Sequence, residues 1–247
     1  MRVGLFVPCF IDAFYPRVAI ATLELLERFG IAVDYPLDQT CCGQPMANNG
    51  CQTDAVATEA LFARNFTGYD YVVAPSASCT HHIRRHFDAI PQTDEVIRLR
   101  ATTYELVEFL HDIVKPSGFP WAEFPHTVVL HNSCTALRGL GQASISEIAG
   151  EPFSTPLALL SQVKGLTTVL PARPDECCGF GGTFSVFEEP VSARMGQDKV
   201  RDFAETGAAY VVSADYSCLM HQQGCAERLG LGLEFIHVAE ILNGARA

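Results

Sequence analysis

The segment Tyr71-Val72-Val73-Ala74-Pro75-Ser76-Ala77-Ser78-Cys79 recurs 139 positions later as Tyr210-Val211-Val212-Ser213-Ala214-Asp215-Tyr216-Ser217-Cys218, and no other feature constrains the fold as much. Thr67-Gly68 returns as Thr206-Gly207 at the same offset, and Cys41-Cys42-Gly43 returns as Cys177-Cys178-Gly179. Val3-Gly4-Leu5-Phe6-Val7-Pro8-Cys9 matches Val128-Val129-Leu130-His131-Asn132-Ser133-Cys134, and Glu108-Phe109-Leu110 matches Glu240-Ile241-Leu242. The order is kept throughout, so the chain reads as a duplication. Breakers in Lys115-Pro116-Ser117-Gly118-Phe119-Pro120, followed by Pro125, place the boundary between repeats spanning 1–118 and 126–247.

Each repeat alternates short apolar runs with helical periodicity. Strands are expected at 2–8, 31–35, 71–74 and around Val96 to Leu99. Helices are expected from Pro16 to Gly30, from the double-cysteine loop to Phe66, from an N-cap near Ser78 (and its counterpart Ser217), and from Thr103 to Val114. In the second repeat Ser154-Thr155-Pro156 and Pro190 each open a helix. The pattern implies an internally duplicated α/β fold, two parallel-sheet halves each carrying a Cys-Cys-Gly motif.

Strand-end loops of such sheets gather at one edge, where open α/β folds place their sites. That edge should collect Cys9, Cys41, Cys42 and Cys79 in one half and Cys134, Cys177, Cys178 and Cys218 in the other. Four thiolates suit soft metal, either a four-iron four-sulfur cluster or zinc. Helices starting beside Cys79 and Cys218 would favour thiolate and cluster charge. Gly179, Gly181 and Gly182 allow close backbone approach, and Gly179-Phe180-Gly181-Gly182 lacks the ending of a phosphate loop. Cys51 and Cys225 have no counterpart in the other half and read as small buried hydrophobes. His82 and His221 lie three residues after a motif cysteine, where they could be ligands or support them; surface histidine is the simpler reading. His131 reads as a satisfied core or loop-edge residue, and Glu188-Glu189 and Arg84-Arg85 as solvated charges.

Composition narrows the class further. Charged residues make up 18% of the chain and apolar ones 48%, which excludes a disordered tail. Twenty-eight acidic against 17 basic side chains give a net charge of −11, the wrong sign for gripping a phosphate backbone, so no nucleic-acid partner is expected. No apolar run is long enough to span a bilayer, and Met1 to Pro8 reads as a strand rather than a secretory signal. A cytoplasmic protein is expected, in which ten cysteines stay reduced and serve as ligands; adjacent pairs such as Cys41-Cys42 would bridge only with strain.

The paired Cys-Cys-Gly motifs, each followed by a strand and a cysteine-containing turn, resemble the cysteine-rich CCG domain family over essentially the whole chain. Members include the B subunit of heterodisulfide reductase, the iron-sulfur subunits of glycolate oxidase and anaerobic glycerol-3-phosphate dehydrogenase, and the lactate utilization protein A family. His131-Asn132-Ser133-Cys134, Cys177-Cys178-Gly179-Phe180-Gly181-Gly182-Thr183-Phe184-Ser185 and Cys218-Leu219-Met220-His221 are most similar to the last of these. The resemblance implies an iron-sulfur electron-transfer subunit of an L-lactate oxidation complex, working with a ferredoxin-like iron-sulfur partner and a third small subunit. The full family pattern ends each repeat in Cys-x-x-Cys, but here the first of those cysteines is Ser76 in one half and Asp215 in the other. A conventional four-iron cluster, an Asp215-supported cluster and a zinc-filled site all fit four cysteines. With no ferredoxin-type cysteine run and no flavin fingerprint, the chain should not oxidise lactate unaided. The rival readings are a glycolate oxidase iron-sulfur subunit, a heterodisulfide-reductase-like thiol/disulfide subunit and a zinc-stabilised interaction module.

Overall fold

The computed structural model describes residues 1–245, which divide into two compact units, Met1–Val114 and Lys115 onward. The first unit runs β1 (Arg2–Leu5), α1 (Cys9–Phe14), α2 (Pro16–Arg28), β2 (Ala32–Asp34), α3 (Gln44–Asn48), α4 (Gln52–Phe66), β3 (Tyr71–Ala74), α5 (Ala77–His86), α6 (Asp94–Ala101), β4 (Thr103–Glu105) and α7 (Leu106–Phe109). A π turn, Leu110–Val114, extends α7. The second unit runs β5 (Thr127–Leu130), a π turn (Thr135–Gly139), α8 (Thr155–Leu160), β6 (Thr167–Val169), α9 (Phe184–Phe187), α10 (Glu189–Glu205), β7 (Tyr210–Ser213), α11 (Tyr216–Leu229), β8 (Glu234–His237) and α12 (Val238–Leu242).

Each unit holds one four-stranded parallel sheet, ordered β2-β1-β3-β4 in the first and β6-β5-β7-β8 in the second. The duplicated α/β architecture expected from the repeats is therefore present. The two central strands of each sheet are buried on both faces after their first residue, as parallel strands covered by helices must be. In this order the chain leaves β1 toward β2 and then crosses to the far side of β1 to make β3, so the connections after β1 and β3 diverge and open a crevice at their carboxyl ends. The same holds for β5 and β7.

The helices obey their local chemistry. In α2, Pro16 sits in the first turn, Val18, Ala21, Thr22, Leu25 and Leu26 form the buried stripe, and Gly30 follows with φ of 71°. Ser154 caps α8 through Leu157 N–H, and Pro190 lies in the first turn of α10. Three expectations need correction. Residues 96–99 form part of α6 rather than a strand, because Thr93 caps the segment, Asp94 and Glu95 occupy its first turn, and Val96 and Leu99 pack inward one turn apart. The strand follows it at Thr103–Glu105. The next helix then starts at Leu106, where the Glu105 carboxylate accepts from Val107 and Glu108 N–H. Finally, α5 and α11 are capped two residues upstream of the serines expected to do so, by Ser76 and Asp215.

Candidate metal centres

Cys9 opens α1 just beyond β1, Cys41 and Cys42 lie in the loop before α3, and Cys79 sits in the first turn of α5 just beyond β3. The strand crossover thus brings four cysteines from distant parts of the sequence to one sheet edge. Their thiols form a chain of contacts, Cys9 to Cys41, Cys41 to Cys42, and Cys42 to Cys79. In the second unit Cys134 contacts Cys177, Cys177 contacts Cys178, and Cys178 contacts Cys218. The Cys134 and Cys177 sulfurs are 3.9 Å apart. Cys42 and Cys79 of the first quartet and Cys178 and Cys218 of the second are buried, and the other two of each reach toward solvent.

The Cys-Cys-Gly turn does more than position sulfur. Gly43 and Gly179 adopt φ of 95° and 88°, which few side chains tolerate. Their N–H groups donate to the sulfurs two residues back, Gly43 to Cys41 at 3.5 Å and Gly179 to Cys177 at 3.4 Å. Phe180 N–H likewise donates to Cys178 Sγ at 3.4 Å. Hydrogen bonds from Cys42, Cys9 and Gly43 pull the Cys41 thiol down to about 2. Those from Cys134, Cys178 and Gly179 bring Cys177 to about 2 as well. Cys9 and Cys134 are pushed up by their contacts with Cys41 and Cys177 and by partial burial. In each quartet negative charge is thus favoured on the first sulfur of the Cys-Cys pair, and a soft cation entering it would displace thiol protons.

The histidines depart from the sequence reading. His82 is not on the surface: it is 1% exposed, with Nε2 3.8 Å from the equally buried Glu59 Oε1. His221 is half-buried, with Nε2 3.2 Å from the Ser192 carbonyl, and packs against Phe180. His131 is 1% exposed, yet among the described residues neither ring nitrogen has a hydrogen-bond partner. It is therefore not a satisfied core residue, and each unpartnered buried polar atom costs about 1–3 kcal/mol. A His131 ring nitrogen and the sulfurs of Cys178 and Cys218 all lie within 4.8 Å of one another. Burial and the nearby Lys199 ammonium hold the imidazole neutral, with its pKa lowered to about 3. Position alone could have flagged this residue, since it follows an apolar strand by one step and precedes a motif cysteine by three.

Asp215, at the position where the resemblance implies a cysteine, is a helix cap, its Oδ1 accepting from Ser217 N–H at 3.3 Å and Ser217 Oγ–H at 2.7 Å. Ser76 plays the same part in α5, accepting from Cys79 N–H. Of the two cysteines outside the repeat, Cys225 is half-buried beside Gly196, whereas Cys51 is exposed at the start of α4 rather than buried.

A parallel sheet with a thiol quartet at its crossover, present twice, defines a double cysteine-rich domain, and the Cysteine-rich domain family model (CCG) matches residues 3–84 and 128–223. Lactate utilization protein A of Geobacillus thermodenitrificans is 41% identical, the match covering 98% of this chain and 99% of the relative. The protein of the same name from Halalkalibacterium halodurans is 37% identical over 98% of this chain and 97% of its own. The chain belongs to the lactate utilization protein A family. Among solved structures, a hypothetical protein from Helicobacter pylori superposes with a TM-score of 0.56 at 9% identity, over 98% of this chain and 48% of that one, a likeness of fold alone. No helix among the described residues is long and apolar enough to cross a membrane.

Proposed function

We propose that this chain is an iron-sulfur electron-transfer subunit of a lactate-utilization system. Convergence of four cysteine thiols at the strand crossover of each unit carries this reading; the lactate role rests on the name of the relatives. Cys9, Cys41, Cys42 and Cys79 would hold one metal group, and Cys134, Cys177, Cys178 and Cys218 the other. An iron-sulfur group there supplies one-electron transfer. The chain's own residues set the conditions: Gly43, Gly179 and Phe180 N–H groups stabilise charge on sulfur, and the buried cysteines shield one side of the group from water. The half-exposed sulfurs at the opposite side would give electrons a short path to a docked partner. A ferredoxin-like iron-sulfur protein and a third small subunit fit that role, in the cytoplasm.

The sulfur spacing supports a second reading. A tetrahedral ion with bonds of about 2.3 Å holds its sulfurs roughly 3.8 Å apart, close to the 3.9 Å between Cys134 and Cys177. One zinc per quartet would then serve structure rather than redox.

Anaerobically purified chain, analysed for iron, acid-labile sulfide and zinc and examined by electron paramagnetic resonance, separates the two. The iron-sulfur reading expects iron and sulfide in near-equal amounts, with roughly half lost in Cys42→Ser or Cys178→Ser and little change in Cys51→Ser or Cys225→Ser. Zinc without sulfide would sink it. Equal losses in all four variants would require different ligand sets.

A further inference from the structure

The two quartets stand on different ground. Phe6 and His131 are equivalent: each follows the first strand of its unit, and each N–H donates to the third strand, Phe6 to the Val73 carbonyl and His131 to that of Val212. Each ring packs edge-on against one phenylalanine of the long helix beneath, Phe6 on Phe66 with centroids 5.7 Å apart and His131 on Phe203 at 5.8 Å. One turn earlier on those helices stand Phe62 and Lys199, also equivalent. Phe62 packs edge-on against Phe6 at 5.0 Å, whereas Lys199, fully buried, places its ammonium over Phe203 and donates to the Arg173 carbonyl. The first quartet is thus floored by hydrocarbon, with Cys42 and Cys79 in the same apolar cluster as Phe6 and Phe62. In the second unit an imidazole stands where the first has the Phe6 ring, and a buried ammonium where the first has Phe62.

Polar groups are rarely left unpartnered in a core without a reason. An imidazole with both nitrogens unsatisfied, one of them within 4.8 Å of two buried thiol sulfurs, has the donor type and the reach of a metal ligand. We propose that His131 is a nitrogen donor to the metal group of the second quartet, beside Cys178 and Cys218, so that the chain carries one all-sulfur centre and one mixed sulfur-nitrogen centre. The inference rests on the metal-binding reading above. His82 and His221 do not compete for this role, since His82 faces Glu59 and His221 faces the Ser192 carbonyl.

The test loads metal-free, full-length chain with cobalt(II), a paramagnetic probe for both quartets, and reads nitrogen coupling by pulsed electron paramagnetic resonance. A directly bound imidazole nitrogen is expected, changing when the protein is made with nitrogen-15 histidine. The coupling should vanish in His131→Phe, which copies the residue of the first unit, and persist in His82→Gln and His221→Gln. Circular dichroism checks that His131→Phe folds. If it does not, His131→Gln, which keeps a polar side chain at this site, takes its place, and the coupling should vanish there as well; coupling that survives in folded His131→Gln overturns the assignment. Bound cobalt with no histidine coupling, or coupling that survives in folded His131→Phe, overturns the assignment. Failure of the unmutated chain to bind cobalt at all would instead defeat the metal-site reading on which it stands.

Discussion

His82 shows what burial does to a single side chain near these sites. Burial, with the neighbouring His86 charge adding to it, lowers its pKa to about 4, so the folded chain keeps it neutral where the unfolded chain would protonate it near 6.5. The folded-state value is depressed, so the contribution to stability is intact above the unfolded value and is lost as the pH falls from about 6.5 toward 4. At pH 5 the loss amounts to about 2 kcal/mol. Denaturation of metal-free chain at pH 7 and pH 5 should therefore show a larger drop for the native sequence than for His82→Gln. Glu59, pushed up by its own burial, titrates in the opposite sense in both proteins, so the difference reads His82. A variant as acid-sensitive as the native chain would exclude this account. The eight repeated cysteines could be picked out from sequence because duplication preserved their type and order. Position beside a motif cysteine could flag His131 but not weigh it, and nothing flagged the burial of His82, because a histidine carries no mark of burial and its neighbours, Glu59 for one and two cysteine sulfurs for the other, come from distant segments.

At the level of elements, the two Cys-Cys-Gly turns share a backbone shape but meet different neighbours. A methyl group on Gly179 would lie 2.6 Å from Met195 Cβ and 2.8 Å from the Ser192 carbonyl oxygen, both in α10, whereas on Gly43 its nearest neighbour would be Glu59 at 3.4 Å. Both substitutions to alanine bear the cost of positive φ, about 1–2 kcal/mol, but only Gly179→Ala must also push a helix aside. Thermal unfolding and metal content should show Gly179→Ala as the more damaging, with loss of metal from the second quartet, and Gly43→Ala as the milder. Equal effects would mean that backbone conformation alone governs the turn. The parallel strands and the long helices were readable from apolar runs and breakers. The strand expected at 96–99 failed because Val96-Ile97-Arg98-Leu99 fits either period, and what settles it is the Thr93 cap and acidic first turn just upstream. The caps of α5 and α11 were misplaced for a related reason: several serines and an aspartate crowd the turn, and only the fold shows which one meets a free N–H.

Across the whole chain, both units are given over to the same construction, a sheet whose crossover delivers four thiols. The sequence has no dinucleotide or flavin fingerprint, and oxidation of a 2-hydroxy acid calls for a group that can accept a hydride or its equivalent, which cysteine-bound iron-sulfur centres do not. The proposed subunit should therefore pass electrons without generating them from lactate. Reconstituted anaerobically with iron and sulfide, the chain alone should be bleached by dithionite but leave a redox dye unreduced when lactate is supplied. Adding a ferredoxin-like iron-sulfur partner and a third subunit should restore lactate-dependent dye reduction, and the acidic surface implied by a net charge of −11 makes that restoration salt-sensitive if docking is electrostatic. Dye reduction by lactate with the purified single chain would make it a dehydrogenase in its own right and would end the subunit reading.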